Sequence, residues 1–161
     1  MTTYYTFSNT PAGEVLLVGN DSTVSGIYWK VFKRLPKIQK DWTENKNAFK
    51  NVIKELGEYF KGTRTSFNFR MEAGGTDFQK KVWNELSKIP FGATVSYADI
   101  AKAIKKPKAV RAVGTAVGSN PLSIAVPCHR VLSSDKKLAG FAGGLESKMV
   151  LLKREGVSWK E

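Results

Sequence analysis

The 161-residue sequence predicts an α+β protein: a small strand-rich α/β scaffold domain over residues 1–75, then a mainly helical domain with a helix-turn-helix over residues 76–161. Three observations predict it. Short runs of β-branched and aromatic residues, broken by turn residues, fill the first third. Two capping-box spacings, Thr76 with Gln79 and Ser96 with Asp99, open helical patterns further on. Between the two regions, Met71-Glu72-Ala73-Gly74-Gly75 has linker composition.

Tyr4–Phe7, Val15–Val18 and Val24–Val31 read as strands of a meander, with turn signals at Asn9-Thr10-Pro11-Ala12-Gly13 and Gly19-Asn20-Asp21-Ser22. Phe49, Val52, Ile53, Leu56, Tyr59 and Phe60 fall at helical spacing before the stop at Gly62, and Ser66–Met71 reads as one more strand. From Thr76, the residues Phe78, Val82, Trp83 and Leu86 give a helix one apolar face, ended by Ile89-Pro90-Phe91-Gly92. A short helix from Ser96 and a second over Ala109–Ser119 flank the turn Lys105-Lys106-Pro107-Lys108, a helix-turn-helix pattern. Ala109, Ala112, Val113, Gly114, Ala116 and Gly118 leave the second helix nearly bare, fit for close approach to another helix or to a nucleic-acid groove; Arg111 is its one long cation. Asn120-Pro121 closes it. Leu122–Val126 reads as a short buried strand that Pro127 ends. Leu138–Gly144 is a glycine-rich loop in which Phe141 is either an aromatic wall for a flat ligand or a core residue. Leu145–Glu155 is a last helix with Met149 and Leu152 on one side, stopped by Gly156. Glu155 at its C-terminal end opposes the helix dipole, so another interaction must hold it there.

A hydrophobic content of 42% supports a packed core and excludes wholesale disorder. No apolar run approaches the roughly 18–20 residues of a membrane span, and the N-terminus lacks the marks of a signal peptide. One cysteine excludes an internal disulfide and a multi-cysteine metal site, so a reducing, cytoplasmic setting is expected. The formal charge of +12 is uneven. No acid lies between Asp99 and Asp135, where Lys102, Lys105, Lys106, Lys108, Arg111 and Arg130 all stand. Such a patch suits a polyanion.

That acid-free window holds the only cysteine and the only histidine, adjacent at Cys128-His129. The pair has two readings. Cys128 is a small core residue with a satisfied polar neighbour, or it is a nucleophile whose thiol proton the imidazole takes. Its place just past a strand, with Arg130 supplying a cationic field that favours a thiolate, supports the second.

Several separated segments carry a family resemblance: Thr94-Val95-Ser96-Tyr97, Arg111-Ala112-Val113-Gly114, Asn120-Pro121, Ile124–Val131, Phe141-Ala142-Gly143-Gly144 and Leu151–Gly156. Taken in order, they make residues 76–156 resemble the catalytic domain of the O6-alkylguanine-DNA alkyltransferases. The N-terminal part is similar only loosely, through Thr10-Pro11-Ala12-Gly13. The resemblance implies that Cys128 attacks the alkyl carbon on guanine O6 and keeps the group as a thioether. It implies that His129 accepts the thiol proton through a water, oriented by Glu155, and that Asn120 braces the turn beside the acceptor. Tyr97 would help swing the nucleotide out and protonate the departing guanine, while Arg111 fills the gap in the base stack. Ala112, Gly114 and Arg130 would join the DNA-binding set, and Val131, Phe141, Ala142 and Gly143 would line the base pocket. The implied partner is double-stranded DNA containing O6-alkylguanine, met by a monomer with no cofactor and no metal. Where some relatives have Ser, Ala142 stands, so only a backbone donor is left for O6.

Those residue types suit that chemistry. A lesion inside a duplex must be extruded to be reached, a long cation offsets part of that cost, and a phenol neutralises the leaving guanine. A thioether has no easy exit and no second cysteine resolves it, so each molecule reacts once. The alternatives are a non-catalytic lesion-binding protein of the same fold, a thiol hydrolase, and a sequence-specific transcription factor.

Overall fold

A computed structural model describes the whole chain, Met1–Glu161, and its architecture is α+β. The chain clusters into two compact units, one of Met1–Gly74 with Pro121–Ala125, the other of Gly75–Asn120 with Val126–Glu161.

In the first unit, β1 (Tyr4–Thr10), β2 (Gly13–Gly19), β3 (Val24–Trp29) and β4 (Thr43–Glu44) form a sheet in the order β3-β2-β1-β4. The β1–β2 hairpin closes where Thr10 pairs with Gly13, whose φ of 140° only glycine adopts readily. β2 buries both faces through Val15, Leu16, Leu17 and Val18. A 3₁₀ turn, Lys46–Phe49, leads into α1 (Lys50–Lys61), which buries Val52, Leu56 and Tyr59 and ends on Gly62 in the left-handed region.

Two predicted strands of this unit do not form. Over Ser66–Met71 only Met71 bridges to β3, at Val24. The backbone N–H of Asn68 is taken by the Glu55 carboxylate at 2.7 Å, and Phe67 packs on Tyr59, so the run is tied down by side chains rather than by a ladder. Leu122–Val126 is mostly buried, as its composition requires, but forms one bridge, Ile27 to Leu122, and then turns. The cause is backbone: Ile124 has φ 72°, which ends extended pairing.

In the second unit both capping boxes form, at Thr76 for α2 (Asp77–Leu86) and at Ser96 for α3 (Tyr97–Ala103). α3, a turn through Lys105 and α4 (Val110–Gly118) make the helix-turn-helix. The Trp83 indole N–H donates to Ala116 O at 2.8 Å and ties α2 to α4. Two short strands, β5 (Val95–Ser96) and β6 (Val131–Leu132), pair in parallel, with Val95 opposite Val131. This pairing sets the start of α3, and hence Tyr97, beside Val131 and Leu132, which follow Cys128-His129-Arg130. α5 (Leu145–Arg154) closes the unit. Its buried face is Ser147, Lys148, Leu151 and Leu152, whereas Met149 stays half-exposed. The predicted Met149/Leu152 side is therefore corrected by about one position of the helix.

Candidate active site

Cys128 opens a 3₁₀ turn, Cys128–Arg130, set up by Pro127. Its N–H donates to Val126 O at 2.8 Å, and the Asn120 side-chain amide donates to the same carbonyl at 2.8 Å. Asn120 sits just past α4, where Pro121 stops the helix, so it belongs to the acceptor turn as well as to the helix end. The turn leaves the sulfur little freedom. Cys128 retains 4% of its surface, enough only for a group delivered to that point.

Burial pushes the Cys128 thiol above its ordinary pKa, with the Asn120 side-chain hydrogen bond and the charge of Lys148 pulling the other way. The resting group is a thiol. The cation that acts on the sulfur is Lys148 rather than the expected Arg130. Arg130 is itself buried: its Nε donates to Glu155 Oε1 at 2.7 Å, its Nη2 to Glu155 Oε2 at 3.0 Å and its Nη1 to Ile89 O at 2.6 Å. Its charge is spent on Glu155. The same contacts bury the guanidinium of a residue that the resemblance placed in the DNA-binding set.

His129 is fully buried, and its Nε2–H donates to Glu155 Oε2 at 2.7 Å. Glu155 also accepts from Gly92 N at 3.2 Å, so donors surround a carboxylate and none of its neighbours calls for a protonated acid. With Nε2 committed as donor, Nδ1 carries the lone pair, and it has no hydrogen-bond partner in its buried position. Burial holds the imidazole below its ordinary pKa, against the pull of Glu155. A neutral imidazole with one clamped nitrogen and one open acceptor is a ready proton acceptor. The contact that holds Glu155 against the helix dipole is therefore the His129–Arg130 pair.

Tyr97 is half-buried at the start of α3, where a Cβ placed at Gly114 on α4 would stand 3.8 Å from its ring. Burial, then the neighbouring Cys128, raise its phenol, which keeps its proton at neutral pH. Arg111 and Ala112 are exposed on α4, and Lys102 on α3 and Lys105, Lys106 and Lys108 in the turn that follows it are exposed as well. Val131 is fully buried, Gly143 buried, and Phe141 and Ala142 half-buried on the loop before α5.

One polar residue of this cluster escaped the sequence reading. Lys148 on α5 is fully buried; its ammonium donates to Val131 O at 2.7 Å, lies 3.5 Å from Ala139 O, and sits 5.8 Å from the Phe141 ring centre. It thereby joins both sides of the expected base pocket. Burial drops its pKa from 10.5 to about 8, opposed by the negative charge Cys128 can acquire. The available signal was its spacing: Lys148 stands three and four residues before Leu151 and Leu152, on their face of the helix.

Comparison with known proteins covers nearly the whole chain. Residues 3–73 match the family model described as 6-O-methylguanine DNA methyltransferase, ribonuclease-like domain, and residues 77–157 match the one described as 6-O-methylguanine DNA methyltransferase, DNA binding domain. A methylated-DNA–protein-cysteine methyltransferase of Methanosarcina barkeri is 45% identical over 152 residues, covering 94% of this chain and 96% of that protein. The constitutive methylated-DNA–protein-cysteine methyltransferase of Bacillus subtilis is 39% identical over 170 residues, covering 98% of each. Among solved structures, Mycobacterium tuberculosis OGT in complex with DNA superimposes with a TM-score of 0.90 at 39% identity, over 95% of this chain and 93% of that one.

Proposed function

The chain belongs to the 6-O-methylguanine DNA methyltransferase family, and on that premise we propose that it repairs DNA by transferring the alkyl group of O6-alkylguanine to its own Cys128 and keeping it. The observation that carries this reading is the buried thiol on a rigid turn, followed directly by an imidazole with Nε2 clamped on Glu155 and Nδ1 open.

The chain's groups divide the work. The basic face around Arg111 takes the phosphates of double-stranded DNA, and Arg111 itself enters the stack where the lesion has left. Ala112 and Gly114 keep α4 slim enough for its backbone to approach the groove. The everted guanine enters between Val131 and the Phe141-Ala142-Gly143 loop, where backbone groups read it. His129 Nδ1 takes the thiol proton through a water, and Glu155 balances the imidazolium that results. The Cys128 sulfur attacks the alkyl carbon, the S–C bond forms, and the C–O6 bond breaks with its electron pair staying on guanine. Tyr97 gives that anion a proton and regains one from the imidazolium through solvent. The transfer balances without a cofactor or a metal. Because the thioether has no leaving route, one molecule repairs one lesion: a methylated-DNA–[protein]-cysteine S-methyltransferase that consumes itself. No helix is long and apolar enough to cross a membrane, and we place this repair in the cytoplasm, by a monomer.

The test is incubation with duplex DNA carrying radiolabelled O6-methylguanine. Label should move to protein and saturate at one equivalent. Lesion binding without label in the protein would make the chain a non-catalytic lesion binder instead.

A further inference from the structure

Between Asn120 and Cys128 the chain makes two three-residue turns in succession. The second is an ordinary one: Pro127 has φ −81° and ψ 66°, and Cys128 N donates to Val126 O at 2.8 Å, an inverse γ-turn. The first is its opposite hand. Ile124 has φ 72°, and Ala125 N donates to Ser123 O at 2.8 Å, which is the rare left-handed γ-turn. For a β-branched residue this backbone is a costly outlier, of the kind found where surrounding structure over-determines it.

That surrounding structure is present. Just before the turn, Ile27 N donates to Pro121 O at 2.8 Å and Ser123 N to Ile27 O at 3.1 Å, so β3 holds the chain up to Ser123. Just after it, Val126 O accepts from both Asn120 and Cys128. The Ile124 side chain is 1% exposed, so packing keeps the turn shut. Glycine would adopt this backbone without cost, but it would equally adopt the mirror-image turn.

We propose that Ile124 is a positioning residue for the transfer: its buried side chain locks the left-handed turn that sets where the Val126–Cys128 turn stands, and so where the sulfur points. This rests on the reading of Cys128 as the alkyl acceptor. Single-turnover transfer at saturating O6-methylguanine duplex separates the two ideas. If wild-type protein takes no methyl, the parent reading fails; if it does, the variants test Ile124.

Ile124→Gly should slow transfer about tenfold while lesion-duplex affinity stays within about twofold. Ile124→Val, which keeps a β-branched side chain in the turn, should transfer within about twofold of wild type despite its lost methylene. Thermal unfolding, measured alongside, fixes a temperature at which both stay folded. Equal rates for Ile124→Gly and wild type, or equal slowing of both variants, would overturn the proposal. If Ile124→Gly does not fold, Ile124→Ala carries the test by removing most of the buried side chain from the same turn. Slower transfer at unchanged affinity then supports the proposal, and an unchanged rate overturns it.

Discussion

Replacing Lys148 with methionine should make the protein more stable at neutral pH and a slower acceptor. Lys148 is fully buried, and its hydrogen bonds run to carbonyl oxygens rather than to a carboxylate. Its pKa falls from 10.5 to about 8 through desolvation. At about 1.4 kcal/mol per unit, keeping the charge costs about 3 kcal/mol at pH 7. Methionine removes that cost but strips Val131 O of its donor, about 1–3 kcal/mol. The balance is a gain of about 0–2 kcal/mol. For a chain of this size that raises Tm by up to roughly 8 °C. The sign reverses with pH. A lysine whose folded pKa lies below its unfolded value burdens the fold fully below pH 8, and the burden fades as pH rises toward 10.5. Wild type should therefore gain on Lys148→Met across that window. Denaturant unfolding of both proteins at pH 7 and pH 10 reads the difference directly. A variant less stable than wild type at pH 7, or a gap that does not move with pH, would refute the electrostatic reasoning. Transfer should slow several-fold, because the cation that lowers the Cys128 pKa is gone.

Other perturbations have equally definite outcomes. Glu155→Gln leaves His129 and Arg130 without their shared counter-charge and should destabilise the fold by about 3–5 kcal/mol, measured by denaturant unfolding. Arg111→Ala should slow transfer from a duplex far more than from a single strand bearing the same lesion, since only the duplex has a stack to fill; equal slowing on both would remove Arg111 from that role. In the native protein Cys128 should react with a bulky disulfide reagent far more slowly than in urea, as its 4% exposure requires. The transfer rate should already be level from about pH 6.5 upward, because His129, held below its ordinary pKa, is neutral there and takes the thiol proton itself. A rate that climbs steadily through neutrality toward the raised thiol pKa contradicts this.

The local signals in the sequence were those set by chemistry close along the chain. The capping boxes at Thr76 and Ser96, the stop at Gly62 and the turn through Lys105 depend on neighbours within a few residues, and each formed. Glu155 was visible too, as an acid at the wrong helix end that needed another interaction to hold it. What misled was burial read as pairing. Leu122–Val126 is apolar because it is buried, and its backbone is dictated by Ile124 and by β3, which no periodicity reports. Arg130 misled in the same way: beside Cys128 in sequence, it turns inward because Glu155 lies there in space. Lys148 was overlooked because a lysine on an apolar helix face is more often a surface residue whose stem lies along the core.

Transfer to the protein is decided by where the alkyl group ends. After wild-type protein meets one equivalent of O6-methylguanine duplex, peptide mass spectrometry should find a single added methyl on the peptide holding Cys128, fragmenting to the sulfur, and unmodified guanine in the DNA. Restored guanine with Cys128 unmodified, or continued repair once the protein is exhausted on a one-to-one count, would contradict it.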